Sequence, residues 1–155
     1  MEERREGAVF LTQASQKLVD LIERSADELS KNYIAEIWRD TRMPTYKKLD
    51  TQDIYRRTFS VYSQLGRWIS RETTRDAIKT HWTSLGRRRR EEGFPLSEIV
   101  LSLCHERRLL WNKVQDEGLI DTALDLYQAL DLHHRVVIFF DLALYYAAVG
   151  YEESP

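Results

Sequence analysis

Apolar residues recur every three or four positions along most of the chain, the spacing that lays one stripe down the side of an α-helix. Read with cap and breaker residues, the pattern predicts about six helices. The first covers roughly 10–24, with Leu11, Leu18, Leu21 and Ile22 in register. Ser25-Ala26-Asp27-Glu28 has the S-x-x-E form of a capping box, so a second helix should open there and carry Leu29, Tyr33, Ile34, Ile37 and Trp38. Pro44 pushes its predecessor out of the α region and leaves 43–50 as a loop. Asp50 or Thr51 caps a third helix whose broad stripe runs from Ile54 and Tyr55 through Tyr62 to Trp68 and Ile69.

Thr73 or Thr74 starts a fourth helix, with Ile78, Trp82 and Leu85 on its narrow apolar face. It ends in Arg87-Arg88-Arg89-Arg90, cations that suit a helix C-terminus, and closes at Gly93. Pro95 opens a fifth helix reaching about Glu117. Its stripe is read as Leu96, Ile99, Val100, Leu103, Arg107, Leu110, Trp111 and Val114, which sets Arg107 in an apolar face where it needs a partner. From Ile120 to Tyr151 apolar residues occupy two faces, so this last helix should be central to the fold or shared with a second chain.

These elements imply an all-α, single-domain chain over 1–155, with 1–9 and 152–155 outside the packed body. A composition 43% hydrophobic and 31% charged, with six Gly and three Pro, excludes a disordered chain and a turn-rich β-protein. The net charge of −2 gives no global field towards nucleic acid or an anionic membrane, and neither is expected as a partner. One cysteine, Cys104, fits a reducing compartment. The charged N-terminus has no secretory signature, and the apolar run from Val136 to Val149 is short for a bilayer and carries Asp141. A cytoplasmic location is the expectation.

Chemistry-bearing patterns are few. His81, His105, His133 and His134 include no H-x-x-x-H or H-E-x-x-H pair, and no metal or other cofactor is expected. His105 is the one candidate for a proximal haem ligand, against the commoner structural role of a lone helical histidine. The four arginines are followed at once by Glu91 and Glu92 and have no interleaved aromatics. A solvated helix end is therefore favoured over a phosphate-binding patch. Trp38, Trp68, Trp82 and Trp111 are placed on apolar stripes, as core. Nucleophile elbows, phosphate loops and dinucleotide fingerprints are missing, and no catalytic residue is assigned.

The stretch Arg87-Arg-Arg-Arg-Glu-Glu-Gly-Phe-Pro-Leu-Ser-Glu-Ile-Val, continuing through Leu103 and Arg107-Arg108-Leu109-Leu110-Trp111, resembles a motif of the N-terminal domains of RsbR-type stressosome proteins and related bacterial sensor histidine kinases. Ile37-Trp38 with Tyr46, and the ending Phe140-Asp141-x-Ala143 to Val149-Gly150-Tyr151-Glu152, add weaker matches. The resemblance implies a globin-like domain without haem that dimerises through its C-terminal helices and passes a signal to an effector or regulatory protein. It carries over Arg89, Gly93, Leu96, Glu98 and Arg107, with Arg107, Glu98 and Arg89 as a polar switch. From the residues themselves the homodimer seam is placed at Val136, Phe139, Phe140, Ala143, Tyr146 and Ala147, where aromatics alternate with small residues. A haem- or small-ligand-binding globin relative and a plain helical interaction domain are the alternatives.

Overall fold

The structure, a computed structural model, describes residues 13–69, 75–117 and 120–153, with side chains from residue 16 onward. It is all-α: 86% helical, with no strand among the described residues. In order the elements are α1 (Gln13–Arg24), α2 (Ala26–Arg39), a 3-10 turn η1 (Tyr46–Lys48), α3 (Thr51–Ser63), α4 (Leu65–Ile69), α5 (Arg75–Glu91), α6 (Leu96–Asp116) and α7 (Ala123–Glu153). The expected starts at Phe10 and at Thr73 or Thr74 lie outside the described residues, as does the N-terminal stretch 1–9. At the other end α7 runs through Glu152 to Glu153, so these two residues are helical and exposed.

Two local expectations are corrected. The Ser25 side chain makes no capping hydrogen bond. Its N–H instead donates to the Leu21 and Ile22 carbonyls at 3.0 and 3.1 Å while its own carbonyl accepts from Leu29 at 2.8 Å. Helical bonding thus passes almost unbroken from α1 to α2 and leaves no orphan amide for a capping box. The predicted third helix divides at Gln64 into α3 and α4. Its start is as read: the Asp50 side chain accepts from the Gln52 amide at 2.7 Å. Gly93 is the positive-φ residue among those described, at +86°. With Phe94 N–H donating to the Arg89 carbonyl and Gly93 N–H to that of Arg90, it closes α5 in a Schellman turn.

Burial sorts into two apolar clusters. One gathers Leu18, Val19 and Ile22 of α1, Leu65 and Ile69 of α4, Trp82 of α5, and Leu132, Val136, Phe139, Phe140 and Ala143 of α7. The other joins Tyr33 and Ile37, Met43, Tyr46, Ile54, Phe94 and Ile99, and meets α7 at Ala147. Large side chains buried this completely contribute about 1.5–3 kcal/mol each. Trp82 and Phe139 meet edge to face at 5.9 Å, and the half-buried Trp68 stacks on Phe139 at 5.7 Å. Trp38 is not core: it is 55% exposed, because Leu29, Tyr33 and Ile37 define the inner face of α2 and the next residue turns about 100° away.

The α5–α7 contact is backbone on backbone. A Cβ at Gly86 would lie 1.9 Å from the Ala147 carbonyl oxygen, and one at Gly150 would lie 2.0 Å from that of Thr83. Glycine is required at both places by space alone. This reciprocal pair fixes α7 on α5 over one helical turn, and the end of α5 reinforces it. Arg90 donates to the Tyr151 carbonyl at 2.9 Å with its guanidinium 5.1 Å from the Tyr151 ring, and Arg87 pairs with Glu153 at 3.8 Å. Of the arginine run expected to be a solvated helix end, Arg87 and Arg88 are exposed, whereas Arg89 is buried and Arg90 half-buried in the fold.

Candidate functional site

The seam between the two apolar clusters is polar. There α2, η1, α3, α5 and α6 enclose a cavity of about 40 Å³, among whose lining residues are Tyr33, Tyr46, Arg57, Trp82, Arg89, Ser102 and Glu106. Each comes from the inward stripe of its own helix. Glu106 takes the position seven residues after Ile99 and four before Leu110, so helical periodicity drives its carboxyl inwards, to 5% exposure. Ser102 is likewise buried, and its hydroxyl hydrogen-bonds the Tyr33 hydroxyl. The Tyr62 hydroxyl donates to the Glu106 backbone carbonyl at 2.7 Å and holds that turn of α6 in place.

Burial lifts the Glu106 carboxyl to about 8, against smaller downward pulls from Thr58 and Arg89. At neutral pH it is mainly a neutral acid, able to donate a proton in a hydrogen bond. Its Oε2 has no partner, and neither does the Trp82 indole N–H in the same cavity lining. Arg89 is 7% exposed, and burial lowers its pKa. It reaches Glu92 Oε1 at 3.2 Å, and from the half-buried rim Arg57 reaches Glu92 Oε2 at 3.4 Å, so one carboxylate spans two guanidinium groups. Tyr33 and Tyr62 are pushed well above the ordinary phenol value and Tyr46 is pushed up, each by burial first, so all three stay neutral. The cavity therefore combines donors and an excess of positive charge with apolar walls from Ile54, Val61, Leu85, Ile99 and Leu103.

Arg89 alone of the three expected switch residues lines this cavity. Glu98 is buried to 1%, but its Oε1 accepts the Thr45 and Tyr46 amides at 2.8 and 3.3 Å and fastens the η1 turn to α6. Arg107, expected inside an apolar face, is corrected: it is a third exposed and only loosely paired with Asp141 at 3.9 Å. The buried polar residue on α6 is its neighbour Glu106. The phase Ile99–Leu103–Glu106–Leu110–Val114 was the signal that could have found it, one residue away from the stripe through Arg107.

His105 is buried on another side of α6, with Nε2 2.8 Å from Asp40 Oδ2. Arg42, first by a side-chain hydrogen bond, and then His105 hold Asp40 well below the usual carboxylate range. The ring nitrogen an iron would need is thus engaged in a hydrogen bond joining α6 to the end of α2. No cluster of three or more His, Cys, Asp and Glu that could hold a metal occurs among the described residues. His133 and His134 are exposed, and Cys104 is half-buried as a free thiol. A wider groove of about 670 Å³ between α1 and the start of α7 is lined by Lys17, Asp20, Glu23, Arg24 and Asp125 around Leu18 and Ile120. None of these side chains has a buried unpartnered polar atom.

The residues expected to form a homodimer seam lie inside the chain. Val136, Phe139, Phe140, Ala143 and Ala147 are buried to 2% exposure or less, and Tyr146 is half-buried. The reason is the glycine contact: α5 approaches closely enough to claim the aromatic-and-small face of α7 for itself. What α7 leaves outside is a second apolar stripe, with Tyr127 69%, Leu130 58%, Ile138 45% and Tyr145 62% exposed, and Leu124 and Leu126 open beside it. Helix α7 also passes the length and composition test for a membrane span, yet only 33% of its most apolar window is buried within the chain. The glycine contact with α5 packs one face of this helix into the body. Comparison of the chain with protein-family models, with curated proteins and with solved structures gives no match.

Proposed function

We propose that the chain is a non-catalytic signal-input and dimerisation module, of the kind implied by its resemblance to RsbR-type N-terminal domains, acting in the cytoplasm and relaying change through α7. The observation that carries this reading is the outer stripe of α7. Tyr127, Leu130, His134, Ile138, Asp141 and Tyr145 follow at spacings of three and four along a helix of 31 residues, about 46 Å. Side chains as large as Tyr127 and Tyr145 standing in such a row mark an interaction surface more than scattered exposed residues do.

The occupant we assign to the stripe is a second copy, running antiparallel about an axis between Val137 and Ile138. In that register His134 faces the partner's Asp141, Leu130 faces the partner's Tyr145, and Tyr127 faces the partner's Ala148. Charge meets opposite charge and large meets small. A parallel pairing would instead set Asp141 against itself. A contact about 46 Å long and one helix, roughly 10 Å, wide covers about 450 Å² per copy, about 900 Å² in all, below the standard range of specific interfaces, so the dimer is weak and reversible. Relay follows because Trp82 and Arg89 line the cavity from α5, and α5 grips α7 through Gly86 and Gly150. A shift of α5 must move α7 or break that contact.

Light scattering on the purified chain across a concentration series tests the reading. The expected result is a monomer–dimer equilibrium that Ile138→Glu displaces to monomer, and a His134→Cys/Asp141→Cys double variant that cross-links copy to copy. A chain that stays monomeric at the highest concentrations refutes it.

A further inference from the structure

We propose that the polar cavity between α2, α3, α5 and α6 binds a small planar oxyanion of the formate, nitrite or nitrate kind, with Arg89 supplying the charge and Glu106 a donated hydrogen bond. Three observations converge. The first is size: about 40 Å³ holds one or two waters, or a guest of roughly three or four non-hydrogen atoms, and excludes a drug-sized or haem-sized ligand. The second is polarity. Glu106 Oε2 and the Trp82 indole N–H, both on residues that line the cavity, are buried without partners. Two unmet groups on residues that line one void are the expected imprint of a guest that meets them.

The third is charge. Arg57 and Arg89 face one carboxylate, Glu92, at 3.2–3.4 Å, distances longer than a well-made charged hydrogen bond. With Glu106 neutral, the group keeps one uncompensated positive charge. The groups facing Glu106 are Arg89 from α5, Tyr33 from α2, Tyr46 from η1, and Thr58 and Tyr62 from α3, with Arg57 at the rim; none brings a second negative charge. A planar anion suits the flat face of a guanidinium and can accept from a carboxylic acid on its far side. A neutral molecule of the same shape would leave the charge unanswered. A cation would meet Arg89.

The inference is independent of self-association and is tested separately, by isothermal titration calorimetry and thermal melts of the full chain with sodium formate, sodium nitrite and, as the neutral isostere, formamide. At about pH 6, below the Glu106 transition, both anions should bind saturably and raise the melting temperature, and formamide should bind at least ~10-fold more weakly. Above about pH 8 the anion affinity should fall by roughly tenfold per unit as Glu106 loses the donated proton. Glu106→Gln keeps an N–H donor with no proton to lose, so it should bind at pH 6 within about threefold of the parent and show no alkaline loss. Arg89→Gln, checked for fold by circular dichroism, should weaken binding at least ~10-fold. No saturable signal up to about 50 mM anion means that the void holds water only, and the proposal fails. It fails equally if formamide matches formate, or if Glu106→Gln retains the alkaline loss; that last comparison needs no Arg89 variant to fold.

Discussion

The most discriminating test of the architecture is Gly86→Ala. In an exposed helix this substitution adds stability, about 0.8–1.0 kcal/mol, because alanine has the higher helix propensity. Here the new methyl would sit 1.9 Å from the Ala147 carbonyl oxygen and 2.7 Å from its carbonyl carbon. An ordinary contact begins at 3.4 Å, so α5 and α7 must part by about 1.5 Å at this point. The obstacle is backbone, which cannot swing aside as a side-chain tip would. A gap of 0.5–1 Å already forfeits a quarter to a half of the dispersion well of each contacting atom pair. The opening would run past Trp82, Phe139, Phe140 and Ala143, all packed in the same cluster. Overpacking in cores costs about 1–3 kcal/mol, and separation of this interface adds to it, so we expect a net loss of about 2–4 kcal/mol. For a chain of this size that is a fall in Tm of roughly 5–15 °C.

Thermal and urea unfolding followed by far-ultraviolet circular dichroism measure it. Gly93→Ala is the comparison, because nothing stands within 4 Å of a Cβ there and only the +86° φ opposes it, a cost of about 1–2 kcal/mol. The ordering matters more than either value. If Gly86→Ala is neutral or stabilising, the backbone contact is wrong, and with it the relay from α5 to α7.

Two further outcomes follow from the same geometry. Glu106 has its pKa raised to about 8 in the fold, so between its ordinary value of 4.5 and that point the folded state holds a proton the unfolded chain has lost. Stability should therefore decline as pH rises through this window, by up to about 1.4 kcal/mol per unit from this group, and denaturant titrations should show the slope cancelled in Glu106→Gln. Glu98→Ala removes the acceptor of the Thr45 and Tyr46 amides and should cost about 1–3 kcal/mol in urea unfolding while leaving the dimerisation constant unchanged. A Glu98→Ala chain of parental stability but altered dimerisation would restore the switch role expected from sequence.

Helix periodicity made most of the fold legible. The Asp50 cap, the Gly93 closure and the Pro95 start fall where the sequence pattern put them, since each is a local matter of one side chain and a few amides. The failures are failures of phase and of partner choice. Trp38 and Arg107 were both assigned to stripes they miss by one residue, and one residue in a helix is about 100° of rotation. The same slip hid Glu106 behind its neighbour. For α7 both apolar faces are visible, but which one α5 occupies depends on Gly86 meeting Ala147 and Gly150 meeting Thr83 across the fold, contacts between residues 61 and 67 positions apart that no periodicity encodes.

That contact also ties the two candidate functions of this chain into one object. The close face of α7 is used up by α5, which is why the outer stripe, with its larger side chains, is the apolar surface left exposed. The same α5 presents Trp82 and Arg89 to the cavity, so a single locked pair of helices carries both the cavity lining and the outer stripe. An anion drawn between Arg89 and Glu106 would pull on α5 near its C-terminal end, where Arg90 grips the Tyr151 carbonyl and Gly86 touches Ala147. It can shift the dimer equilibrium only by as much as its affinity differs between the two arrangements of α5. Measuring the dimerisation constant with and without formate would give that difference directly, and equal constants would leave binding and self-association as separate properties of one fold.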